Sequence, residues 1–137
     1  MEPKSAGIPS TPIWDDQVEH GELAKYDWIH LFHEDFTGQL NKFYISYRGA
    51  PWFVEQQERQ PATARALGFP NIPALKKDVA EHLRQYVQNG GFLFAMCGAT
   101  ETLELAIAGQ HVDIASVFAD GTPMDPQADE KMDWTRT

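Results

Sequence analysis

Two apolar runs and one four-residue rhythm organise the chain. Tyr26-Asp27-Trp28-Ile29-His30-Leu31-Phe32 is rich in β-favouring residues, alternates little, and ends in the polar cluster His33-Glu34-Asp35. This pattern predicts a strand over 27–32 that is buried on both faces, as in a parallel sheet. Phe92-Leu93-Phe94-Ala95-Met96 is a shorter unbroken run and predicts a second such strand over 92–96. Between them Leu75, Val79, Leu83 and Val87 recur every four residues with Tyr86 beside them. That spacing predicts an amphipathic helix from about Pro73 to Gln88, with Lys76, Lys77, Glu81 and Arg84 turned to solvent. Asn89-Gly90-Gly91 supplies a left-handed cap and a sharp exit into the second strand.

The remaining pattern is weaker. Phe43-Tyr44-Ile45-Ser46-Tyr47 reads as a second-rank strand closed by Arg48-Gly49. Pro51 opens a helical stretch through Gln60, Pro61 breaks or restarts it, and Gly68 stops it. After Cys97-Gly98-Ala99-Thr100, the run Glu101 to Ala108 predicts a short helix ended by Gly109. Val112 to Phe118 is strand-like, and the tail beyond it is turn-rich and acidic. Pro3, Pro9 and Pro12 mark residues 1–13 as an extended arm.

Helix, glycine pair, strand, tight turn and helix in succession predict an α/β fold, a doubly wound, flavodoxin-like parallel sheet with helices on both faces. The strands near 27–32 and 92–96 should lie close, with helix 74–88 on one face and a right-handed crossover. Such a domain normally begins with a strand, so the 137 residues are expected to be a single unit that is a segment of a longer domain. An unpaired sheet edge or a large apolar patch is the expected consequence.

Charge narrows the partners. Lys plus Arg is 11 against 20 for Asp plus Glu, a net charge of −9, and no basic run exceeds Lys76-Lys77. Phosphate backbones and anionic lipid are therefore not expected partners. A small molecule is, together with a homo-oligomer or the remainder of a longer chain. No apolar stretch approaches the roughly 20 residues that span a bilayer. Met1-Glu2-Pro3-Lys4-Ser5 has no apolar signal region, so the location expected by default is cytoplasmic. The lone cysteine excludes an internal disulfide.

Cys97 stands where a strand meets a helix, the edge at which α/β folds bind ligands. Unpaired N–H groups at a helix start favour a thiolate and can hold an oxyanion. Ala95, Gly98 and Ala99 give the small-residue frame that a tight strand-to-helix turn uses. The competing reading is a buried, inert cysteine.

The stretch from Tyr86 to Thr100, with its helix end, glycine pair, apolar strand and Cys97-Gly98-Ala99-Thr100 turn, resembles the nucleophile-elbow region of the class I glutamine amidotransferase-like superfamily. It is most similar to the trehalose-utilisation (ThuA-like) branch, many members of which carry His where Cys97 stands. His33-Glu34-Asp35-Phe36-Thr37-Gly38-Gln39, with Pro51-Trp52, also resembles an uncharacterised bacterial family often labelled asparagine synthetase B. That label implies an N-terminal cysteine, whereas position 2 is Glu2. The resemblance implies a nucleophile at Cys97 served by a downstream His-x-Glu. Only His111 follows Cys97, and Val112-Asp113 comes after it.

His33 and Glu34, at the end of the first strand, are the internal candidates for base and orienting carboxylate; a solvated strand end capped by Asp35 is the alternative. His30, His33, Glu34 and Asp35 are metal-ligand types, but side chains three apart on a strand point to opposite faces. Asp113, Asp120, Asp125 and Asp129 lack calcium-loop spacing. No metal or organic cofactor is therefore expected. Gly98, Ala99 and Thr100 would contact a ligand at the turn. Arg48 could clamp a carboxylate, and Trp52, with Trp14, Trp28 and Phe53, would line a sugar-type pocket or an interface. Two functions remain: a small-molecule binding or assembly domain that keeps the elbow, or a cysteine-dependent amidase or hydrolase with Cys97 as nucleophile.

Overall fold

The computed structural model describes residues 7–137. Residues 1–6 of the expected arm lie outside that range, and residues 7–13 form neither helix nor strand. The protein is α/β and largely helical, with a two-stranded parallel sheet. Strands β1 (Trp28–Leu31) and β2 (Phe92–Ala95) run in register from Trp28↔Phe92 to Leu31↔Ala95. Both strands fall where the apolar runs predict them.

Burial on both faces is not found. Register partners share a face, and side chains alternate between faces. Ile29 and Leu31 are buried with Leu93 and Ala95 packed beside them, whereas Trp28, His30, Phe92 and Phe94 are exposed. Phe92 is 59% exposed, the largest exposure among these four positions' apolar side chains. Trp28 and Phe92 meet edge to face at 5.9 Å, and the tilted rings of His30 and Phe94 lie 5.3 Å apart. Rings that read as core in the sequence thus form an open aromatic face. Among the described residues, helices cover one side of the sheet.

That covered side carries the core. Helix α1 (Asp15–Glu19) and the turn Glu22–Lys25 contribute Val18 and Leu23 ahead of β1. The expected strand at 43–47 is instead a 3-10 turn, Leu40–Phe43, running into helix α2 (Tyr44–Tyr47). Phe43 and Tyr47, four apart, bring their rings to 6.2 Å, a pairing a helix permits and a strand does not. Helix α3 (Pro51–Ala66) passes through Pro61. The missing backbone donor is tolerated because Phe53 and Ala64, buried on either side of it, hold the helix down.

Helix α4 (Ile72–Gln88) matches the four-residue rhythm. Asn71 caps it, accepting the Ala74 amide at 2.8 Å. Leu75, Val79 and Leu83 are buried, but Val87 is exposed, and in that last turn Tyr86 packs against the core in its place. Lys76, expected in solvent, is buried and paired with Asp15 at 2.7 Å, since α1 packs across that face. Gly90 takes the left-handed conformation at φ +96°, as the cap requires. Gly91 answers a different need: a Cβ there would meet the Tyr86 ring at 2.3 Å. The Tyr86 hydroxyl in turn donates to the Tyr26 carbonyl at 3.0 Å, fastening the end of α4 to the entry of β1.

Helix α5 (Gly98–Ala108) begins three residues earlier than the sequence pattern suggests and packs Leu103, Ala106 and Ile107 into the core. The strand expected over 112–118 is absent. The Asp113 carboxylate accepts the Ala115 amide at 3.1 Å and Gln39 accepts the Ser116 amide at 3.1 Å, so these donors are taken by side chains and not by a ladder. Short helices α6 (Val117–Asp120) and α7 (Ala128–Lys131) follow. The last turn returns to α4, where Arg136 pairs with Glu81 at 2.6 Å and Arg84 donates to the Arg136 carbonyl at 2.8 Å. No helix among the described residues is long and apolar enough to cross a membrane.

Candidate functional site

Cys97 occupies the turn between β2 and α5 and is exposed to solvent, which removes the buried-cysteine reading. Its backbone lies at φ 53° and ψ −137°, and it is the one non-glycine residue at positive φ among those described. Holding an L side chain there costs about 1–3 kcal/mol, so the surroundings must enforce it. They do so from both sides. The Met96 amide donates to the Leu31 carbonyl at 3.0 Å, carrying the ladder to the residue before the turn. The Cys97 carbonyl accepts from the Thr100 amide at 3.2 Å and from the Thr100 hydroxyl at 2.8 Å.

The small-residue frame has a narrower basis than the spacing suggests. Ala99 is fully buried and leaves no room for growth. A Cβ at Gly98, by contrast, would meet nothing within 4 Å. Among the expected ligand contacts Gly98 and Thr100 are exposed, and the Thr100 side chain is engaged in closing the turn.

His33 and Glu34 stand just beyond β1, and the parallel pairing puts them at the same sheet edge as Cys97. The His33 and Phe32 rings pack edge to face at 4.0 Å. Thr102 of α5 donates to the Glu34 carbonyl at 2.8 Å, which ties this loop to the helix that follows the cysteine. The Glu34 carboxylate accepts the Phe32 amide at 2.6 Å and so acts as a local cap. Among the described residues no hydrogen bond joins Cys97 to His33 or to Glu34. Asp35 also caps locally, accepting the Thr37 amide at 2.9 Å and pairing with Lys42.

Arg48 and Trp52 belong to a different place. Trp52 packs with Tyr47 at 5.3 Å and with Phe43 at 6.0 Å on the α2–α3 corner. Arg48 is exposed at the end of α2. Trp14 stacks under Arg59 at 3.6 Å, Phe53 is wholly buried, and Trp28 lies on the open sheet face. These four aromatic residues therefore do not line one pocket.

A groove of about 460 Å³ also lies elsewhere, between the start of α4 and the segment after α5. Lys77, Asp113 and Asp120 line it. Burial holds the Lys77 ammonium below the usual lysine range, and its Nζ donates to the Val112 carbonyl at 2.5 Å.

The pattern reading missed one convergence. Glu19 at the end of α1 meets Asp78 and His82 of α4, with their ligand atoms within 4.8 Å of one another. Burial pushes the Glu19 carboxyl up to about 8, and the neighbouring Asp78 and Asp15 carboxylates add to the rise. The i, i+4 spacing of Asp78 and His82 was the available signal; their partner on another helix was not. Comparison with family models, with curated proteins and with solved structures finds no match for this chain.

Proposed function

We propose that the chain is a class I glutamine amidotransferase-like domain of the ThuA-like kind, of doubly wound descent, that binds a small sugar-type molecule at the carboxyl edge of its sheet. The observation that carries this reading is the backbone of Cys97, an exposed non-glycine residue held at φ 53° between a parallel strand and a helix. Strain of that kind persists where a side chain must be presented at a fixed angle. The Phe32 and His33 rings beside the edge offer faces on which a sugar ring packs. The test is a titration of uniformly ¹⁵N-labelled protein with a panel of mono- and disaccharides, followed by amide shifts. Shifts clustered at Phe32–Glu34 and Cys97–Thr100 are expected. Shifts confined to the Lys77 groove, or none with any saccharide, would overturn the reading.

A second reading, a cysteine-dependent amidase or hydrolase, is favoured by the placement of His33 and by the Thr102 bond that ties its loop to α5. The thiolate of Cys97 would attack an amide carbonyl, His33 having taken the thiol proton, to give a thioester and release the amine. Release of ammonia from L-glutamine, lost in Cys97→Ser, would separate this from simple binding.

A further inference from the structure

Outside the Cys97 edge, the strongest chemistry is where α1 crosses α4. Asp15 and Glu19 lie one turn apart on α1 and face α4. Asp15 is neutralised by Lys76 at 2.7 Å. Glu19 has no lysine or arginine paired with it among the described residues; its neighbouring nitrogen is that of His82. Its side chain is 9% exposed, and its Oε1 is buried without a hydrogen-bond partner. A buried carboxyl oxygen left without a partner is costly, and natural structures retain one where something else satisfies it.

That oxygen is aimed at two other ligand-type groups. Glu19 Oε1 lies 3.4 Å from His82 Nδ1, and His82 Nδ1 lies 3.7 Å from Asp78 Oδ2. A tetrahedral ion with bonds of about 2.0–2.1 Å holds its ligand atoms about 3.3–3.4 Å apart. We propose that Glu19, Asp78 and His82 form a binding site for a divalent transition-metal ion of the zinc type, which pins α1 to α4.

The donor set selects the ion. An imidazole nitrogen with two carboxylates suits zinc or cobalt, whereas calcium and magnesium take oxygen ligands. The Asp78 side chain is 40% exposed and that of His82 is 33% exposed, so the ion has an entry path and water completes its coordination. His82 Nδ1 lies 2.9 Å from the Asp78 carbonyl. Metal binding exchanges that contact for the metal bond, with the ring proton carried on Nε2.

The experiment uses tag-free protein carrying Cys97→Ser, which removes the one thiol that would compete for zinc. Calorimetric titration of this protein with zinc chloride is expected to give one ion per chain and a rise in thermal midpoint, because a ligand that binds only the folded state stabilises it. Cobalt should give the intense visible bands of a tetrahedral site. Glu19→Gln and His82→Ala, each added to that background, should lose the binding and the midpoint rise. Unchanged zinc affinity in both variants, or no binding by the parent, overturns the proposal. Should either variant fail to fold, the parent decides by NMR. Ring signals of His82 must move on zinc addition while those of His20, His30, His33 and His111 stay, and any other pattern counts against the site.

Discussion

His33 and Cys97 hold equivalent places in the sheet, each two residues beyond the register partners Leu31 and Ala95. One follows β1, the other follows β2, and both are exposed at the same edge. This placement makes a measurable demand on the thiol. Iodoacetamide should label native protein near neutral pH, and Cys97→Ser should abolish the labelling. His33→Ala should slow it if the imidazole serves the sulfur. Labelling that appears only after denaturation would show that the sulfur is shielded in solution.

The strain at Cys97 predicts an unusual substitution. Glycine enters positive φ freely, so Cys97→Gly should recover about 1–3 kcal/mol of strain against about 0.5–1 kcal/mol of added chain entropy. A net gain of about 1 kcal/mol in urea unfolding is expected, while Cys97→Val should lose stability. Equal midpoints for all three proteins would mean that the turn relaxes without cost.

Lys76 and Asp15 should respond unequally to removal of their charges. Asp15→Asn leaves a buried ammonium without its partner and should cost about 3 kcal/mol. Lys76→Met leaves the less buried Asp15 without its partner and should cost less than Asp15→Asn, while replacing both, Asp15→Leu with Lys76→Met, should come out near neutral. The two unfolding curves settle it; a larger loss for Lys76→Met would reverse the argument.

The open sheet face should behave as surface. Phe92→Thr should change stability little and reduce the binding of the hydrophobic dye ANS, because Phe92 is exposed. Leu83→Ala, deep under the sheet, should cost about 2–5 kcal/mol. Dye binding unchanged by Phe92→Thr would indicate that this face is covered in solution.

The acid limit near the carboxyl end follows from Asp133. Bonds from the Thr135 hydroxyl and amide hold its carboxyl below the usual aspartate range, with smaller help from Arg136 and Arg84. A folded value below the unfolded one means the contribution is present above about pH 3.8 and fades as pH falls through the folded value. Asp133→Asn should therefore lower the thermal midpoint slightly at pH 7 and leave it unchanged near pH 2. A difference that persists at pH 2 would point to a cause other than charge.

The parts of the fold legible in the sequence were those where local pattern and burial agree. The Gly90-Gly91 pair and the Leu75-Val79-Leu83 rhythm reported a helix end and a helix face directly. Phe92 and Phe94 looked like core because apolarity alone does not say which face a packed layer covers. Phe43 to Tyr47 looked like a strand because aromatic residues favour strands until a four-residue ring pairing wins. The turn at Cys97 was legible as a position, but its strained backbone was not. Lys76, and the meeting of Glu19 with Asp78 and His82, depend on two helices crossing, which no spacing along one of them encodes.

The sheet also sets a schedule for the nascent chain. His30 and Met96, whose side chains touch across the two strand ends at 3.3 Å, are 66 residues apart. At about 5–20 residues per second, roughly 3–13 s pass between synthesis of the first strand and arrival of the strand that pairs with it. Throughout that interval Trp28 to Leu31 carries unpaired amides beside a tryptophan.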